Sequence, residues 1–267
     1  MVIRRIREHV ADHNWFAVAI DLGIVVLGVL IATQVSNWNE ARLESRQGQS
    51  YRARLADELD FNTRQHRAQE AYYINVRNHG MAALGALRSG QIADPPQFLI
   101  NAYQLTQIDP APAKSYIYNE MVSAGHVSRI GNERVQEAAS DYYVQVSAND
   151  RQNQVTTPYR DIVRAIVPFE IQEEIHLKCG DVLIYYRKRM IGQRLREPCT
   201  ARFDPLLARK AAAAIQREPN IERELVRYIG ATNERLSSFG FSLLMAGDLR
   251  AALDSDQDKP SAAPALP

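Results

Sequence analysis

Two cysteines, six histidines and one short basic run hold most of the side chains in this 267-residue chain that could do chemistry. His176-x-x-Cys179 has a spacing that can bring two zinc ligands together, with Cys199 as a third. A structural zinc needs about four such ligands. The fourth is missing, so no metal site and no cofactor is expected. Cys179 and Cys199 suit a disulfide in an oxidising compartment, where a loop of about 20 residues would contribute ~3 kcal/mol. Two unpaired, buried thiols are the alternative, because two cysteines make weak arithmetic. His66 and Glu70 stand four apart, the spacing of an ordinary surface pair on a helix. His126 follows a glycine suited to closing a helix and reads as a satisfied loop histidine. No G-x-S-x-G, H-E-x-x-H, G-x-G-x-x-G or G-x-x-x-x-G-K-[ST] pattern occurs, so no catalytic residue can be nominated and the expectation is a non-enzyme.

Between the cysteines the chain is basic. Lys178, Arg187, Lys188, Arg189, Arg194, Arg196 and Arg202 face only Asp181 and Glu197. Arg187, Lys188, Arg189, Arg194 and Arg196 form a candidate patch for anionic headgroups or an acidic partner. The bland reading is a solvated excursion neutralised by Glu170, Glu173 and Glu174 just before it. The whole chain carries a formal charge of only +1, without the basic excess that a nucleic-acid binder needs.

The elements that must position these groups begin with residues 16–35, F-A-V-A-I-D-L-G-I-V-V-L-G-V-L-I-A-T-Q-V. Twenty helical residues rise about 30 Å, the depth of a bilayer's hydrocarbon core. Trp15 and Trp38 stand at its two ends, where amphipathic rings favour the headgroup layer. No A-x-A-like cleavage site follows the apolar run, which favours an uncleaved anchor over a signal peptide. At 100° per residue, Ala17, Asp21, Gly28 and Ala32 fall on one face. Gly28 and Ala32 are a small-x-x-x-small pair, and intramembrane acids are usually placed to meet something. That face is therefore expected to pack against a partner helix.

Beyond the span the pattern is helical. Residues 38–89 lack proline, and Tyr51, Leu55, Leu59, His66, Tyr73, Val76, Leu84 and Leu87 follow one helical stripe. Gly48 offers a bend in this stalk. Asp94-Pro95, Asn132, Thr157-Pro158, Asp204-Pro205 and Pro219 open further helices, and Gly125 and Pro168 close them. The last helix carries Ile221, Leu225, Tyr228, Thr232, Leu236, Phe239 and Leu243 in a 3-and-4 rhythm. Only residues 182–186 could form a strand, and they could equally begin a helix. The expected fold is all-α: a tail over 1–14, a transmembrane helix over 15–36 running into a long stalk helix, a bundle of roughly six or seven helices within 37–253, and a disordered tail over 254–267. The chain length allows one good-sized core or two small ones.

Two stretches, A-I-D-L-G-I-V-V-L-G-V-L-I-A-T-Q-V-S-N-W-N-E-A-R (19–42) and Y-N-E-M-V-S-A-G-H-V-S-R-I-G-N-E-R-V-Q-E-A-A-S-D-Y-Y (118–143), resemble an uncharacterised family of bacterial single-pass membrane proteins. In that family the span runs into W-N-E, and a Y-x-x-L-x-x-x-G helix precedes a capped helix ending in paired tyrosines. Met121 stands here where the family often has Leu. The resemblance covers the first 145 residues or so. It implies an N-terminus in the cytoplasm and a helical domain outside the inner membrane; it implies no activity. The short N-terminal tail, the glutamates flanking the exit of the span and the two cysteines beyond it favour the same orientation. The function expected is a membrane-anchored helical interaction module of the cell envelope that binds another protein or itself. A periplasmic ligand-sensing bundle acting through a partner is the alternative, and a metal-dependent hydrolase is the third reading.

Overall fold

The computed structural model describes residues 15–153 and 157–257. Among the described residues eight α-helices hold most of the chain, so the fold class is all-α. The contacts divide it into two units, one ending at Tyr51 and one beginning at Arg52.

The first unit is helical from Trp15, the start of α1 (Trp15–Arg88), and Gly48 is itself helical. Its apolar side chains face outward all round the helix: Leu22, Ile24, Val25 and Ile31 are each 62–64% exposed. A helix apolar on every side belongs inside a large core or in hydrocarbon. Among the described residues no core surrounds it, and the segment is one helix near the N-terminus long and apolar enough to cross a membrane.

The second unit is the bundle. Its part of α1 buries Leu55, Leu59, Tyr73, Val76 and Leu84, as the stripe in the sequence requires. There follow α2 (Pro95–Gln104), α3 (Tyr116–Ser123), a 3-10 turn (Val127–Ile130), α4 (Glu133–Asn153), α5 (Pro158–Ile166) and α6 (Phe169–Cys179). After these come a hairpin of β1 (Val182–Tyr186) and β2 (Arg189–Arg194), then α7 (Pro205–Arg217) and α8 (Ile221–Gln257). Local chemistry starts several helices. The side chains of Asp94, Asn132 and Asp204 accept hydrogen bonds from the backbone N–H groups of Gln97 (3.1 Å), Val135 (3.2 Å) and Leu207 (2.7 Å). These are groups a helix N-terminus leaves unpaired. Gly125, at φ +68°, closes α3, a conformation that favours glycine.

Helices α4 and α8 pack antiparallel: Asn149 donates to Ser242 Oγ (2.6 Å) near one end, and Asn132 donates to Asp256 (2.7 Å) near the other. Helix α2 lies against α7, whose small buried residues Ala208, Ala211 and Ala212 share one core with Leu99 and Ala102. Helix α8 runs through Gln257, beyond Leu253, where the sequence ended the folded domain; Leu249, Ala252 and Leu253 are buried, so the last turns are held by packing. The remaining tail residues and the 1–14 tail lie outside the described residues.

Candidate functional site

The basic segment folds largely as the hairpin, with residues 182–186 as its first strand. Leu183 pairs with Gln193 and Ile184 with Gly192, after which the register shifts so that Tyr185 pairs with Met190. Ile191 is the extra residue of this bulge, and it is buried together with Gly192. A Cβ at Gly192, whose φ is +150°, would lie 3.1 Å from Ala68 Cβ and 3.3 Å from Asp109 Oδ2. The glycine thus lets β2 press onto α1. Cys179 and Cys199 are joined by a disulfide, Cα atoms 4.8 Å apart, which ties the two ends of the hairpin segment together. The Cys179 sulfur is therefore not the thiolate ligand that His176-x-x-Cys179 would need for zinc. Among the described residues no group of three His, Cys, Asp or Glu side chains is placed to hold a metal.

The tip of the hairpin is Arg187-Lys188, at φ +47° and +64°. Two successive positive φ values make the tight turn that suits paired, twisted strands, and it normally recruits Asn-Gly. Side chains bearing a Cβ cost ~1–2 kcal/mol each in this conformation. Two long cations are held there despite that strain.

Beneath the tip lies a cleft of about 150 Å³ lined by Asp57 and Phe61 of α1 and by Tyr186, Arg187 and Arg189. Arg187 pairs with Asp57 at 3.5 Å, both well exposed. The Arg64 guanidinium stacks 4.0 Å from the Tyr186 ring centre and binds Asp60 at 3.2 Å. Lys114 brings its ammonium over the Phe61 ring, 3.1 Å from the centre. Burial lowers the Lys114 pKa from its ordinary value and the charge of Arg189 lowers it further, with Glu58 opposing.

A buried polar stripe on α1 fixes the Lys114 backbone. Asn62 both donates to the Lys114 carbonyl (2.7 Å) and accepts from its N–H (2.8 Å). Gln65 donates to the carbonyls of Ala111 (2.9 Å) and Pro112 (3.0 Å), and Gln69 to that of Ala111 (2.9 Å). The proline-broken loop has no regular ladder of its own, so these amides satisfy backbone groups that burial would otherwise strand. Tyr73 Oη holds the loop's start by accepting from the Asp109 N–H (3.1 Å), and Gln193 of β2 donates to the Ile108 carbonyl (2.9 Å).

His66 shares this stripe. The expected surface pair with Glu70 is not what forms: His66 is 2% exposed and packs beside Tyr142 and Phe239, with ring centres 6.5 and 6.0 Å away. Its position on the buried stripe of α1 outweighs its polarity. Neither ring nitrogen has a hydrogen-bond partner among the described residues. Burial pushes its pKa down to about 4, with Gln69 acting in the opposite direction.

Of the other residues singled out in the sequence, Arg194 and Arg196 are exposed at and beyond the end of β2. Gly28 and Ala32 are exposed on α1, and a Cβ at Gly28 would meet no atom within 4 Å. The side chains of Ala17 and Asp21 lie outside the described residues. The cleft, Lys114 and the α1 amides went unnoticed in the sequence. The i, i+4 and i+7 spacing of Asn62, Gln65 (with Gln69 four further on) and Glu58 was the available signal. No family model matches the chain, and neither a curated protein nor a solved structure matches it.

Proposed function

We propose that this chain is a single-pass, membrane-anchored helical interaction module of a bacterial envelope. In this reading the span sits in the inner membrane and the unit from Arg52 onward works on the periplasmic side, bound to another envelope protein or to its own copy. The observation that carries the proposal is the band of fully turned-out apolar side chains on α1 between Ile20 and Val35. Such a surface is costly in water and favourable in hydrocarbon. The Cys179–Cys199 bridge supports an oxidising compartment for the bundle. The open small face at Gly28 and Ala32 supports a neighbouring helix within the bilayer. The likeness of residues 19–42 and 118–143 to a family of single-pass membrane proteins supports the orientation.

In-cell crosslinking of the tagged full-length chain, followed by mild-detergent purification and mass spectrometry, tests this. A reproducible envelope partner or a crosslinked dimer is expected, and Asp21→Leu should weaken the association made through the span. Recovery of the uncrosslinked monomer alone, at native expression, would overturn the interaction reading.

A further inference from the structure

We infer that the outer face of the hairpin docks on the exposed face of α6 of a second copy of this chain. The inference rests on the reading of the chain as an interaction module and names one partner and one surface for it. Along a strand, side chains alternate between two faces. In β1, Val182, Ile184 and Tyr186 are half-buried, and Leu183 and Tyr185 face outward. Met190 of β2 lies directly opposite Tyr185, so it stands on the same outer face. These three side chains are 44–61% exposed. Cations frame them: residues 182–196 hold Arg187, Lys188, Arg189, Arg194 and Arg196 and no acid. Arg187 pairs with Asp57, and the other four have no ion-pair partner among the described residues.

Helix α6 carries the counterpart. Phe169, Glu173 and Leu177 follow one another around it in steps of about 40°, and Glu170 falls about 20° beyond Leu177. All four are exposed, Phe169 at 72% and Leu177 at 62%, while Ile171, Ile175 and Cys179 are buried on the opposite side. The neutralisation of the hairpin by these glutamates, suggested by their nearness in the sequence, does not form as ion pairs. Glu170 and Glu173 have no ion-pair partner among the described residues, and Glu174 accepts from the Arg202 N–H (3.3 Å). Each face thus offers exposed apolar side chains beside charge of one sign, and the two signs are opposite. Phe169 to Leu177 covers about 12 Å of helix, and Leu183 to the turn at Arg187 covers about 13 Å of strand. Two hairpins, or two α6 faces, would oppose like charges, so the contact pairs unlike surfaces. A two-fold pair makes it twice, and any other arrangement passes it on from copy to copy. A second copy is the occupant these features specify, because each chain brings the matching surface. Anchoring in one bilayer, as proposed above, confines the copies to a plane and raises their effective concentration.

The test uses the full-length chain in mild detergent, with self-association read by sedimentation against protein concentration. Mixed heavy-isotope and unlabelled copies are also joined by a zero-length carboxyl–amine crosslinker and mapped by mass spectrometry. Links between Lys188 of one copy and Glu170 or Glu173 of another are expected, with an association that weakens as salt is added. Lys188→Glu with Arg189→Glu should weaken self-association roughly tenfold or more, and so should Glu170→Lys with Glu173→Lys. All four reversals in one chain should restore it, an outcome that misfolding does not produce. Asp21→Leu, which removes the span contact, should leave the Lys188 link in place. Association that survives both pairs of reversals, or that the fourfold variant fails to restore, overturns the inference. So does a hairpin reversal that abolishes binding to phosphatidylglycerol vesicles and leaves self-association intact, since the face then belongs to a lipid surface. An envelope partner or a dimer recovered from cells without the Lys188 link to α6 sinks this contact and leaves the proposed interaction module standing.

Discussion

A histidine buried among rings is neutral at pH 7 and resists protonation, so His66 ties the stability of the bundle to pH. In the unfolded chain the imidazole takes its proton near the ordinary 6.5, and in the folded chain only near 4. Between these values the unfolded state binds more protons. Stability is therefore fully present above 6.5 and falls as pH drops towards 4, by about 3 kcal/mol in total. Burial raises the pKa values of Asp109, Asp150 and Asp181, which act in the opposite sense: their contribution is lost as pH rises through the carboxylate range. The two effects have opposite signs, so a loss of stability between pH 7 and pH 5.5 belongs to His66. His66→Leu should remove most of the loss between those points, read as a smaller shift in the urea midpoint. Any cost of repacking around Tyr142 and Phe239 would be the same at both pH values. An unchanged pH dependence in the variant would show that His66 is hydrated or partnered in the folded protein.

Among the elements, the hairpin is where sequence and structure part, and the reason is physical. Helices announce themselves through local chemistry: Asp94, Asn132 and Asp204 each satisfy a backbone N–H three residues on, and the apolar stripe of α1 is legible at its 3-and-4 spacing. The hairpin has no such marks. Its turn is Arg187-Lys188 instead of Asn-Gly, and the bulge at Ile191 breaks the alternation that would have revealed β2. The candidate site was hidden for a related reason. Asn62, Gln65 and Gln69 look like a solvated helix face until the proline-broken loop is laid over them, and that contact joins residues more than 40 apart. The basic residues themselves were visible in the sequence.

The strained turn makes its own prediction. Glycine enters the left-handed region at no steric cost, so Lys188→Gly should stabilise the bundle by about 1 kcal/mol, less the added freedom of the unfolded chain. A higher denaturant midpoint with an unchanged slope is the expected result. A lower midpoint would mean that the Lys188 side chain contributes contacts outweighing the strain.

At the scale of the whole molecule, the two units make opposite demands on solvent. From Arg52 onward the chain buries its own core, with Leu55, Leu99, Ile175, Leu225 and Leu249 all fully enclosed. Between Ile20 and Val35 it encloses almost nothing, and apolar side chains point out on every face. A bundle of this kind has no need of a bilayer to fold, and the apolar helix has no stable place in water. The proposed anchor should therefore be separable in its effect. The full-length chain is expected to remain in the membrane pellet after an alkaline carbonate wash. Val25→Arg combined with Val29→Arg places two charges near the middle of the span, each costing about 2.5–3.5 kcal/mol on insertion scales. That variant should lose its resistance to extraction while the bundle still melts cooperatively in detergent. If it stays in the pellet as firmly as the unaltered chain, attachment comes from the bundle or a bound partner, and the outward apolar band on α1 has to be explained by association between helices in place of lipid.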